Sequence, residues 1–126
     1  MNILLISAAV LTIAIGIVHS WLGERFILRR LLRRSDLPTL FGDDTFTRQT
    51  LRFAWHLTTV AWFGLAAVLV VLSGVVVGIR VSDGVVFAVA QTFIMSAVLA
   101  LTLTRGRHLS WVVFSVIAAL CLLAVR

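Results

Sequence analysis

Four stretches of this sequence, 3–22, 53–72, 85–104 and 109–125, contain no charged side chain. A hydrocarbon core of about 30 Å takes roughly 20 apolar residues as a helix, with about 17 as the lower limit. Each stretch meets that test, the last one narrowly. Backbone groups in lipid must bond within the chain, so spanning segments are helices or closed barrels. The runs are continuous rather than alternating, which selects helices over barrel strands. Composition agrees: 61% of residues are hydrophobic, 13% are charged and the mean hydropathy is +1.12. A water-soluble domain carries roughly a quarter charged residues. The expected fold is therefore all-α, an integral membrane four-helix bundle forming a single transmembrane domain over 1–126.

All eleven basic residues are arginines, against five acids, and their placement reads as topology. Seven lie in the 23–52 connection, and Arg105 and Arg107 lie between the third and fourth stretches. Arg80 and Arg126 alone fall on the other side. Arginine-rich connections stay cytoplasmic, which predicts a multi-pass protein of the bacterial inner membrane with both termini outside. The first stretch lacks a basic leader and a small-residue cleavage site, so it is expected to be retained.

The 24–34 segment places Ile27, Leu28, Leu31 and Leu32 on one helical face and Arg25, Arg29, Arg30, Arg33 and Arg34 elsewhere. This predicts a cytoplasmic interfacial amphipathic helix after the first span, its arginines at anionic lipid headgroups. No nucleic-acid partner is expected from that charge. Pro38 disfavours helix before it, and Asp44 is positioned to cap the second span.

Chemistry has few carriers. No carboxylate lies inside a span, which removes the usual exchange group of proton-coupled pumps. Cys121 has no second cysteine for redox or thiolate chemistry, and no phosphate loop or nucleophile motif is legible. The histidines remain. His19 lies four residues before Gly23 and His56 four after Arg52, so both sit roughly 6 Å inside the cytoplasmic boundary. His108, beside Arg107, lies shallower. Imidazoles from several helices at one depth could hold a divalent metal or a haem iron, with Glu24 supplying a carboxylate. They could equally make helix–helix hydrogen bonds of about 0.6–2 kcal/mol.

Gly16, Ser20 and Gly23 form a strip of small residues beside His19, which would let a second helix approach closely. Thr59 offers His56 a hydroxyl partner. Trp21, Trp55 and Trp111 suit an inner aromatic belt, and Trp62 follows Trp55 by one heptad. Gln91, Thr92 and Ser96 make a polar patch in the third span, where Gln91 needs a partner. A faint repeat relates His56-Leu57 to His108-Leu109.

The segments His19-Ser20-Trp21-Leu22-Gly23-Glu24 and Trp55-His56-Leu57-Thr58 resemble those of small, uncharacterised four-span bacterial inner-membrane proteins. The resemblance implies fold and location and carries no activity, cofactor or catalytic residue. The expected function is a histidine-lined polar site near the cytoplasmic face, with His19 and His56 at its core and Glu24 and His108 accessory. Its ligand would be a metal ion, a haem or a small polar molecule. The alternatives are a non-catalytic structural or accessory subunit of a larger membrane complex, and an oligomeric channel or transporter.

Overall fold

The computed structural model describes residues 1–125; Arg126 lies outside them. The described residues form four helices and no strand: α1 (Ile3–Leu31), α2 (Thr45–Leu72), α3 (Val81–Leu103) and α4 (Ser110–Ala124). The first three are long and apolar enough to cross a membrane. At 15 residues, α4 is a shorter apolar helix, about 22 Å at 1.5 Å per residue.

Local chemistry sets the helix ends. The Asn2 side chain accepts from the Leu4 and Leu5 amides at 3.0 and 3.4 Å, capping α1. Asp44 occupies the cap position of α2 without bonding the helix end through its side chain. Its carboxylate pairs instead with Arg48, which holds it below the usual carboxylate range, while Asp43 accepts from the Thr45 amide at 2.9 Å. The 32–44 connection folds back onto α2. Thr47 Oγ1 donates to the Pro38 carbonyl at 2.8 Å, and Arg48 donates to that of Arg34. A hydrogen bond from Arg34 holds the Asp36 carboxyl down at about 2. Arg105 and Gly106, both at positive φ, reverse the chain tightly between α3 and α4.

Packing follows chain order: α1 lies on α2, α2 on α3, and α3 on α4. No packed α1–α4 seam closes the array among the described residues. Both arginine-rich connections lie at one end, where His108 meets Phe46 and Phe53 of α2. At the other end the Asn2 amide donates to the Ser73 carbonyl at 2.7 Å. Small residues make the central helix pair close. A Cβ on Gly64 of α2 would collide with the Thr92 side chain of α3. Ala88, Ala90, Ser96, Ala97 and Ala100 are buried along α3.

The arginine-rich end of α1 departs from the amphipathic helix expected there. Gly23–Leu28 is π-helical, and the helix then returns to α geometry as far as Leu31. A π turn takes more residues per revolution than an α turn and so shifts the phase of everything after it. Leu28 is 1% exposed, while its neighbour Ile27 is 46% exposed. The single apolar face of 27, 28, 31 and 32 is thereby divided.

Candidate functional site

The α1–α2 seam at the arginine-rich end carries a continuous line of polar side chains. On α2, Trp55, His56, Thr59, Trp62 and Phe63 recur at helical spacing and face α1. On α1, Gly16, Ser20 and Gly23 make room for them. A Cβ on Gly16 would stand 2.8 Å from the Phe63 ring, and one on Gly23 would collide with the Trp55 indole. This absence of side-chain bulk lets the polar groups meet.

His56 is bonded through both ring nitrogens. Ser20 Oγ lies 2.9 Å from Nδ1, and Glu24 Oε2 lies 3.4 Å from Nε2. Ser20 Oγ is also 2.7 Å from Thr59 Oγ1, which lies 3.4 Å from the Gly16 carbonyl oxygen. At the water-facing end, Glu24 Oε1 accepts from Arg52 at 3.1 Å and pairs with Arg29 at 3.9 Å. Side-chain exposure falls from 41% at Arg52 to 29% at Glu24 and 21% at His56. Thr59 is buried. The line therefore descends from solvent into the helix seam.

Two directions of hydrogen bonding fit these distances. With neutral His56 protonated on Nε2, the ring donates to Glu24 and Nδ1 accepts from Ser20, which accepts from Thr59. With His56 cationic, Nδ1 donates to Ser20, Ser20 donates to Thr59, and Thr59 ends the line on the Gly16 carbonyl. One proton on the imidazole thus reverses two hydroxyls without moving a heavy atom. That reversal is the chemistry the arrangement supports.

The other histidines have different company. His19 stacks on Trp55 with ring centroids 4.6 Å apart and planes 3° from parallel, and Trp62 flanks it at 5.0 Å. Its Nε2 is buried without a hydrogen-bond partner, while its carbonyl accepts from Trp55 Nε1 at 3.3 Å. The slot that a planar cofactor would need beside His19 is filled by indole. His108 lies in the turn before α4, stacked on Phe46 and 2.8 Å from Ser110 Oγ through Nδ1. The faint repeat therefore equates a histidine inside α2 with one outside α4. Among the described residues no group of three or more His, Cys, Asp or Glu side chains is placed to hold a metal ion.

The patch on α3 separates in the same way. Thr92 and Ser96 hydroxyls donate to the Ala88 and Thr92 carbonyls of their own helix, at 2.7 and 2.8 Å. Gln91 is exposed, and the polar edge it gives lies on an apolar groove of about 710 Å³ bordered by Ile13, Phe63, Val71, Phe87 and Ala88. Trp21 is exposed at the same end as the site, and Trp111 donates to the Gly106 carbonyl at 3.4 Å. Sequence reasoning did not single out Arg52 as a site residue. Its spacing of four from His56 on one helix was the available signal.

No protein-family model matches the chain, and no curated protein or solved structure shows significant similarity to it.

Proposed function

We propose that the chain is a multi-pass protein of the bacterial inner membrane whose cytoplasmic end carries a histidine-centred polar site. At that site His56 exchanges a proton with the cytoplasm through Glu24, or offers the same atoms to a small polar ligand. The observation that carries this reading is the engagement of both His56 nitrogens, one by a carboxylate in contact with solvent and the other by the half-buried Ser20 hydroxyl, itself bonded to buried Thr59. Imidazole can hold a proton on either ring nitrogen or on both, which suits it to passing one between two partners. The reading takes a proton or a polar molecule rather than a metal or haem, because His19 and His108 lie against aromatic rings.

The test is 15N spectroscopy of histidine-labelled protein in bilayers. Neutral His56 is expected as the Nε2-protonated tautomer, with Nε2 donating to Glu24 and Nδ1 accepting from Ser20. A ring found in one protonation form under every condition in which the fold is kept would overturn proton exchange. The structural alternative would then stand, favoured by the fact that each member of the line already has a partner within the chain.

The membrane placement rests on three helices of sufficient length and hydropathy and on the arginine bias. In this placement α4 is the fourth span, its shortness met by local thinning of the bilayer. A reporter after residue 126 is expected outside the cell, and one inserted at Gly42 in the cytoplasm. A cytoplasmic C-terminus would reverse the side on which His56 exchanges its proton.

A further inference from the structure

We propose that the cleft beside Glu24 is a phosphate-recognition site formed by Arg29, Arg33 and Arg52. The cleft measures about 300 Å³ and is lined by these three arginines with Glu24 and Leu32. It joins the cytoplasmic end of α1 to the first turns of α2, so neither helix alone would form it.

Charge and hydrogen-bonding capacity point to an anion with several acceptor oxygens. Three guanidiniums face one carboxylate, and that carboxylate is already shared by Arg29, Arg52 and His56. Arg33 makes no side-chain hydrogen bond or ion pair among the described residues. Arg52 spends one terminal nitrogen on Glu24 while its Nε is buried without a partner. Unused guanidinium donors on two helices suit a phosphate, whose oxygens accept forked pairs of N–H bonds. A carboxylate ligand would offer fewer acceptors to the same three groups.

The π turn contributes directly. It changes the rotation between Glu24 and the arginines that follow, so Arg29 and Arg33 line the cleft while Arg25 and Arg30 do not. Leu32 adds an apolar wall. A phosphate there can belong to an anionic lipid headgroup or to a free phosphate or phosphate ester. The lipid source rests on the proposed membrane placement; the phosphate chemistry does not.

The test uses the purified full-length chain in neutral detergent, with binding read by native mass spectrometry and by thermal shift. The probes are inorganic phosphate, a short-chain phosphatidylglycerol and, as a zwitterionic control, the matching phosphatidylcholine. The expected result is preferential binding of phosphatidylglycerol over phosphatidylcholine, weakened at least tenfold by Arg33→Gln or Arg52→Gln. Arg105→Gln, in the turn between α3 and α4, removes the same charge outside the cleft and should leave binding within twofold. Arg33→Gln removes no side-chain hydrogen bond or ion pair among the described residues, so its effect reads binding rather than folding. Binding of inorganic phosphate with the same arginine dependence would assign a free phosphate source as well. Equal weakening by all three substitutions would reduce the site to general electrostatic attraction and overturn it. Failure of both phosphate probes to bind would do the same. Since no probe requires a spanning orientation, these failures are distinct from a reporter result against the membrane topology.

Discussion

Gly23→Ala is expected to destabilise the α1–α2 pair by about 1–3 kcal/mol, the usual cost of forcing extra volume into a packed contact. The backbone at Gly23 has ordinary right-handed helical angles, so alanine introduces no conformational strain and should even favour the helix. All of the cost comes from the new methyl group against the Trp55 indole. Trimming the indole should therefore restore what the methyl removes. In a double-mutant cycle, Gly23→Ala in a Trp55→Leu background is expected to cost less than 0.5 kcal/mol, roughly the limit for independent sites. Reversible unfolding in mixed micelles gives both values. An equal penalty in the two backgrounds would mean that Gly23 does not meet Trp55.

Ser20→Ala comes next in expected size, at about 1–3 kcal/mol, because it strands two partners at once. His56 Nδ1 loses its bond, and the buried Thr59 hydroxyl keeps only the longer one to the Gly16 carbonyl. A suitable control is Ser115→Ala, whose hydroxyl is exposed and bonds the Trp111 carbonyl of its own helix at 2.8 Å. That change should fall within about 0.5 kcal/mol of the parent. Ser20→Ala and His56→Ala should also couple, the pair costing less than the two changes taken separately. Stability equal to that of the Ser115 variant would remove Ser20 from the hydrogen-bonded line.

The helices were legible in the sequence because hydropathy and missing charge act over twenty residues at a time. Their extensions were not. α2 begins at Thr45, eight residues before its charge-free stretch, because Asp43 and the folded-back 32–44 connection supply its first turn. The strip Gly16, Ser20 and Gly23 could be placed opposite a second helix from spacing alone, since a lack of side chain is a local property. What met that strip was not local. Trp55, suited to the belt, and Trp62, one heptad further on, lie on His19. Periodicity also treated 24–34 as one regular helix, and a π turn leaves no signature in hydrophobic spacing. His108 shows the same limit. Its depth could be estimated from Arg107, but its contacts with Phe46 and Phe53 depend on where a distant connection folds.

The neighbour-to-neighbour order of the helices bears on how the molecule is made. A chain emerging N-terminus first can close α1 on α2 as soon as α2 is complete, because among the described residues no later helix packs along α1. Each following helix then finds its docking surface already built, and no early segment waits unpaired for a late one. Contacts between sequence neighbours also close short loops, which favours fast assembly. The same order grades the finished molecule by dependence. Detaching α4 removes one face of α3 and leaves the polar line of Arg52, Glu24, His56, Ser20 and Thr59 in place, whereas loosening α1 dismantles that line entirely.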